Sequence, residues 1–277
     1  MGSFMLNLDN VSRAFVDSSS KGNQSKFFYN GHWIKLDSQN CCEGLAENFV
    51  SKFCATIADF PYVPYNSSQY EYMDSVCTGC HSYNMYGRMD MAFVSFRSIL
   101  RQFGMPQSIF FEDADTARNI MNVVSLIRSN LGVDTLDYFR RLLMLDCLII
   151  NEDRHLMNIG LCYCKLDSKF YEAPCFDNGS SLFCVNWTYR KRKTLDENIV
   201  FASSVARPFS EFFDTQLSAL LSLGCKPLMV SRLGVETLLS EYYNPLYTEE
   251  MNTRIKSVLS NRLYYYYYYV NSVFVYV

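Results

Sequence analysis

The chain lacks a strong charge of either sign: 25 Lys and Arg against 28 Asp and Glu leave a net charge of −3 over 277 residues. A dedicated nucleic-acid binder normally presents a basic domain, so direct contact with DNA or RNA is not expected. No run reaches the ~18 consecutive apolar residues of a membrane span, and no N-terminal stretch joins a charged region, an apolar core and a small-residue cleavage site. The expected location is therefore cytoplasmic. Residues 1–6 open like a myristoylation signal but carry Leu6 where Ser or Thr is needed. A Walker A ending, G-K-[ST] leading into a helix, is missing. Cys77, Cys80 and His81 are not joined by a second Cys/His pair at finger-like spacing, and structural zinc takes four ligands.

What is present is an ordinary globular composition, 49% hydrophobic and 19% charged, which is too apolar for disorder. The length suits two lobes, each with its own core. Eleven cysteines, an odd number scattered through core-like segments, read as reduced and buried thiols.

The chemistry is expected within residues 151–181. Asp153 is followed five residues later by Asn158, the interval at which a kinase catalytic loop sets its base and its metal-binding Asn. Two short apolar or aromatic runs, residues 159–164 and 170–171, flank residues 165–168, which read as a hairpin turn. The hairpin returns the chain to its start, so Asp177 and Asn158 can meet on one ion. Mg²⁺ takes hard oxygen ligands, usually one or two carboxylates with phosphate oxygens and water. Singly, each of the three residues could be turn punctuation. Together, followed by Gly179 and a Ser pair, they point to phosphoryl transfer.

Asn151-Glu152-Asp153-Arg154-His155-Leu156-Met157-Asn158 resembles the N-x-D-x-H-x-x-N catalytic loop of HipA-like protein kinases, and its Asp-Arg-His core also resembles phosphatidylinositol kinases. Phe176-Asp177-Asn178-Gly179 stands where a kinase has D-F-G. Met157 departs from HipA, which has Lys there; the lipid kinases lack that Lys too. Gly22-Asn23-Gln24-Ser25-Lys26 is similar to the G-x-Q-x-K phosphate loop of the same group. It lies among segments read as strands at 11–16, 26–29 and 33–36, with a tight turn at Asn30-Gly31. Lys35, in an otherwise apolar strand, takes the place of the Lys that grips the α- and β-phosphates. Residues 43–57 place Leu45, Phe49, Phe53 and Ile57 at four-residue spacing, an amphipathic helix. Glu47 on that helix, with Glu43 as the alternative, is expected to pair with Lys35.

Residues 62–76 read as strand, and residues 77–81 as the hinge that holds adenine. Helices are expected at 89–103, at 115–131 with a stop at Gly132, and at 135–150 leading into the catalytic loop. Residues 178–210 are the least regular stretch and correspond to a substrate loop, with Arg207-Pro208-Phe209 rejoining the helical part. Further helices follow at 217–223, 227–243 and from 248 onward, where the six tyrosines of 264–269 read as a frayed or docked terminus.

The resemblance, in motif order over residues 11–209, implies an α+β, two-lobed protein-kinase-like fold. Residues 1–80 form a β-rich N-lobe and residues 81–277 a helical C-lobe. The chain lacks the extra N-terminal subdomain of full-length HipA and is most similar to compact, CtkA-type members of the group. The implied activity is that of an ATP- and Mg²⁺-dependent serine/threonine protein kinase. Asp153 accepts the hydroxyl proton, Asn158 and Asp177 hold Mg²⁺, and Gly22, Asn23, Gln24, Lys26, Lys35 and Glu47 serve the nucleotide. Asn151 and His155 brace the loop. Ser18, Ser19 and Ser20 precede the phosphate loop, where members of the group phosphorylate themselves, Ser19 lying nearest the matching position. The implied partners are a protein with a Ser or Thr acceptor and an antitoxin, in a toxin or in an effector delivered to a host. Two rival readings stand beside it: a lipid kinase, for which residues 190–193 are the one basic headgroup surface, and a non-catalytic kinase-fold binding module.

Overall fold

Alternation of apolar and polar residues in the first third of the chain produces a sheet with two different faces. Its strands are Leu6–Asn7 (β1), Lys26–Tyr29 (β2), His32–Leu36 (β3), Asn66–Tyr72 (β4) and Ser75–Tyr83 (β5), ordered β1-β4-β5-β3-β2 and antiparallel except for β1 against β4. The computed structural model describes residues 5–9, 11, 24–84, 90–204 and 208–274. Asn30 and Gly31 both take positive φ (46° and 77°), the backbone that a tight hairpin demands. Phe27, Ile34, Leu36 and Tyr70 bury one face with Leu8. Successive side chains point to opposite faces, so Lys35 and its ladder partner Cys80 lie on the other, where Cys80 packs with Val63, Tyr65 and Phe176.

Helix α1 (Glu43–Cys54) follows β3 and packs on the sheet through β4 and β5. Leu45, Phe49 and Phe53 are fully buried in the main core, which continues into the helical part of the molecule. That part begins with β6 (Met91–Ser95) and α2 (Phe96–Gln102), then α3 (Thr116–Leu131) and α4 (Leu136–Ile149). A hairpin of β7 (Gly160–Cys164) and β8 (Lys169–Glu172) joins β6 in a second, three-stranded sheet, β6-β7-β8. Helices α5 (Trp187–Arg190), α6 (Leu195–Val200), α7 (Phe213–Ser222), α8 (Arg232–Glu241) and α9 (Glu249–Phe274) complete the chain. The Asp115 side chain caps α3 by accepting from the N–H groups of Ala117 and Arg118, and Gly132 ends it with φ 70°. The expected α+β architecture, β-rich first and helical afterwards, is the one that forms.

The segment between α8 and α9 returns to the first sheet. Tyr242 donates its hydroxyl to Asn48 Oδ1 at 2.8 Å, Asn244 donates to Ser67 Oγ at 2.8 Å, and the Tyr247 hydroxyl donates to Asp37 Oδ2 at 2.8 Å.

Several expectations change. Residues 77–81 are no hinge: they lie inside β5, with Cys77 opposite Tyr70 and His81 opposite Ile34. Gly79 is there for close approach of two strands rather than for a turn, because a Cβ on it would stand 2.2 Å from the Lys35 carbonyl oxygen. Cys77 and Cys80, three residues apart on a strand, point to opposite faces and cannot share a metal. The helix expected over 89–103 is part strand, since pairing with β7 draws residues 91–95 into a sheet and Ser95 then caps α2 by accepting from Ser98 N–H. The segment after Asp177 contains α5 and α6, the latter opened by a Thr194–Glu197 capping box. Tyr266 is buried and accepts from the Leu228 N–H, so the tyrosine run is docked, while Tyr264 and Tyr268 face solvent. The first strand is residues 6–7; of the expected 11–16, all but Val11 lie outside the described residues, as do Ser18, Ser19, Ser20, Gly22, Asn23 and Arg207.

Gly79→Ala is expected to lower stability by about 1–3 kcal/mol, the usual cost of overpacking. Urea unfolding measures it, and an unchanged midpoint would show that β3 and β5 can part without cost.

Candidate active site

Lys35 is held by the strand pairing just described and is almost completely buried. A buried ammonium needs partners, and it has two. Its Nζ donates to Glu47 Oε1 and to Asp177 Oδ1, each at 2.6 Å, and lies 5.1 Å from the centre of the Tyr65 ring. Glu47 lies one turn into α1, facing the sheet, and is fully buried; its second oxygen accepts the Asn178 N–H at 2.9 Å. Glu43, the alternative partner, instead accepts from the Ser38 N–H at 3.0 Å in the first turn.

Asp177 arrives under the sheet because the chain after β8 is zipped to the strand leading into β4: Val63 N–H donates to the Cys175 carbonyl at 2.9 Å and Cys175 N–H to the Pro61 carbonyl at 2.8 Å. Lys26, the ladder partner of Lys35, puts its ammonium 3.9 Å from Asp177 Oδ2. Burial works to raise the Asp177 carboxyl, but Lys35 and Lys26 outweigh it and hold the group well below the usual carboxylate range. Burial alone would release the Lys35 proton; Asp177 and Glu47 hold it, so its ammonium is firmer than an ordinary lysine's.

The loop of residues 151–158 starts where α4 ends at Ile150, whose φ of 51° turns the chain sharply. Asn151, fully buried, accepts from the Asp153 N–H at 3.1 Å. His155 N–H donates to the Asp153 carbonyl at 2.8 Å, and Asn158 N–H to the His155 carbonyl at 2.8 Å. The Asn158 amide nitrogen donates to the Asp153 carbonyl at 3.5 Å, which leaves the amide oxygen as the atom available to a cation. Asp153 keeps 48% of its side chain exposed, with His155 Nε2 3.9 Å away, so its carboxylate can meet a substrate. Its carboxyl is raised, chiefly by partial burial and against the pull of His155, with the charge of Asp177 adding to the rise.

No protein-family model matches the sequence, and no curated protein does. Solved structures do. The Helicobacter pylori proinflammatory kinase CtkA aligns over 94% of this chain and 95% of its own, with a TM-score of 0.62 at 16% identity. HipA, from the Shewanella oneidensis MR-1 complex of HipA, HipB and operator DNA, aligns over 94% of this chain and 67% of its own, with a TM-score of 0.54 at 15% identity. The fold is that of the HipA-like kinases. Within this HipA-like fold the residues singled out in the sequence converge: Lys35, Glu47 and Asp177 touch directly, Lys26 adjoins them, and Asp153, Asn151, His155 and Asn158 share one loop. Gln24, in the middle of the expected phosphate loop, buries its amide nitrogen without an acceptor among the described residues.

Three residues of the site were not weighed in the sequence. Arg154 is fully buried and forks between Asp146 on α4 and the residues around Asp177. Asp146 announces itself as the one carboxylate in the apolar run of residues 142–150, and such a group must find a cation. Asn178, inside the F-D-N-G motif, supplies its side chain to Arg154 and its N–H to Glu47.

Lys35→Met is expected to cost about 3–5 kcal/mol, because it strands Glu47 and Asp177 without their shared cation. Lys26→Met, more peripheral, should cost under about 1 kcal/mol. The depressed Asp177 carboxyl contributes stability above its unfolded pKa of about 3.9, lost as pH falls through the folded value. The gap between wild type and Lys35→Met should therefore narrow in acid; thermal unfolding at neutral and acid pH gives both comparisons, and a gap that widens in acid contradicts the assignment.

Proposed function

We propose that this chain is an ATP- and Mg²⁺-dependent serine/threonine protein kinase of HipA-like type that phosphorylates a protein target and itself. The observation that carries the reading is the convergence of Lys35, Glu47 and Asp177 next to the loop bearing Asp153 and Asn158, which Arg154 of that loop joins by donating to the Phe176 carbonyl at 2.6 Å. Residues 1–80 serve as the nucleotide-gripping lobe and residues 81–277 as the catalytic one. The donor set fits Mg²⁺ with a triphosphate: Asp177 is held as a carboxylate and Asn158 offers an amide oxygen, both hard oxygen donors. Bound there, the ion neutralises charge on the transferring phosphoryl group.

The protein's own part is positioning and proton transfer. Lys35 and Lys26 supply two ammoniums for phosphate oxygens, and the orphaned Gln24 amide nitrogen supplies a further donor. Asp153, half exposed, takes the proton of the acceptor hydroxyl. Glu47 keeps Lys35 in place, and Asn151 and His155 hold the loop. A protein acceptor is favoured over a lipid headgroup because two of the four basic residues of 190–193 are already engaged. Arg190 makes a two-point ion pair with Glu152 at 2.8 and 2.9 Å, and Lys193 lies over the rings of Tyr189 and Phe201. Among the described residues no helix is long and apolar enough to cross a membrane. A cytoplasmic site of action, or delivery into a host, and restraint by an antitoxin-type partner belong to the same reading.

Labelled ATP and Mg²⁺ with a generic protein substrate, and separately with phosphoinositide vesicles, test the acceptor class; label in the lipid alone overturns it. Asp153→Ala should keep its fold and ATP binding and lose roughly 10²–10⁴ in transfer rate. Because only the carboxylate accepts a proton, the wild-type rate should fall as pH drops through the raised Asp153 pKa. Asp177→Asn should raise the Mg²⁺ needed for half-maximal rate. Intact mass after ATP treatment should show added phosphate in the wild type, mapping to Ser18, Ser19 or Ser20, and none in Asp153→Ala.

A further inference from the structure

Arg154 touches neither the phosphate-gripping lysines nor the open edge of Asp153, yet it is among the most completely buried side chains of the molecule. Its Nε and one terminal nitrogen bind the Asp146 carboxylate at 3.0 to 3.2 Å. The other terminal nitrogen donates to the Phe176 carbonyl at 2.6 Å, and the first reaches Asn178 Oδ1 at 2.6 Å and Cys175 Sγ at 3.6 Å. Phe176 and Asn178 are the two neighbours of Asp177, and Arg154 is itself the neighbour of Asp153.

We infer that Arg154 is the positioning residue of the site, fixing with Asp146 and Asn178 the separation between the base Asp153 and the metal-binding Asp177. The inference rests on the kinase reading and deepens it. Asp177 has a φ of 59°, a backbone conformation that side-chain-bearing residues rarely adopt and that persists only where the surroundings impose it. Arg154 imposes it from both sides, through the carbonyl before Asp177 and the side chain after it. Asn178 passes the constraint onward, since its N–H binds the same Glu47 that holds Lys35. A planar guanidinium with five fixed donors can make these contacts at once, whereas an ammonium is a point charge on one atom.

The rival explanation is that Arg154 only neutralises Asp146. Neutralisation would need neither the 2.6 Å contact to Phe176 nor the one to Asn178. The two accounts separate in three variants. Arg154→Lys keeps the charge beside Asp146 and loses the fork. The double variant Asp146→Leu, Arg154→Met removes the buried pair as a unit, a replacement that folded proteins often tolerate. Asn178→Ala removes the acceptor alone and leaves the Arg154–Asp146 pair intact.

If Arg154 positions the site, all three unfold cooperatively and bind ATP without metal as the wild type does. Each loses roughly 10–10² in kcat, the scale of a catalytic group displaced by about 1 Å, and needs more Mg²⁺ for half-maximal rate. Hydrogen exchange supplies a readout independent of turnover: amides of residues 175–179 should lose protection in each variant while those of α4 keep it. Wild-type kcat, Mg²⁺ requirement and exchange in Asn178→Ala, or in whichever of the others folds, overturn the inference. A wild-type chain that transfers no phosphate overturns the kinase reading instead, and the exchange result then stands or falls alone as the measure of whether Arg154 holds the Asp177 turn.

Discussion

One ammonium group, Lys35 Nζ, is shared at 2.6 Å by two carboxylates that reach it from distant parts of the chain, Glu47 on α1 and Asp177 beyond β8. Removing three charges from water costs several kcal/mol per ion unless the geometry is good and the remaining lone pairs find donors. The surrounding structure meets that condition piece by piece. Gly79 lets β5 lie close enough to hold the Lys35 strand, Asn178 N–H satisfies the second Glu47 oxygen, and Lys26 stands near the second Asp177 oxygen. The triad ties sheet, α1 and the turn at Asp177 together, so the stability of the first sheet's inner face and the arrangement of the candidate site depend on the same contacts.

A second ionic group, Arg154 with Asp146, stands behind the first and is joined to it through Asn178. The two differ in what surrounds them. Lys35 and Asp177 keep 9% and 18% of their side chains exposed, whereas Arg154 is sealed from solvent. Rigid support behind exchangeable charge suits chemistry that consists mainly of positioning and neutralisation.

Much of this was legible in the sequence. The residues of the candidate site are polar interruptions of regular patterns: a Lys in an apolar strand, a Glu at helical spacing from a buried stripe, an Asp and an Asn in one short loop. Glu47 and Glu43 could not be ranked by periodicity, because both lie on the same helix and only the direction of approach of β3 separates them. Residues 77–81 read as a hinge although they are strand, since a glycine demanded by close strand approach, as Gly79 is, looks in sequence like one demanded by a turn. Residues 91–95 became strand through a partner almost seventy residues away, a distance no local pattern records. The tyrosine run has no period at all, so nothing in it could mark Tyr266 as the buried one. Arg154 was hidden by its position between two more conspicuous residues, although the lone Asp146 in an apolar helix already required a cation.

The hydroxyls that Tyr242 and Tyr247 donate to Asn48 and Asp37 close sequence separations of 194 and 210 residues. During synthesis the chain emerges from its N-terminus and folds as it does so. The helix carrying Glu47 therefore leaves the ribosome long before the segment that backs it, and Asn48 and Asp37 each wait one donor short until residues 242 and 247 have been made. A chain stopped before residue 242 contains Lys35, Glu47, Asp177 and the loop of residues 151–158, and still lacks these two contacts. The backing of the helix that carries Glu47 is thus a late event in the order of synthesis, supplied by residues 242–247 rather than by anything near it in sequence.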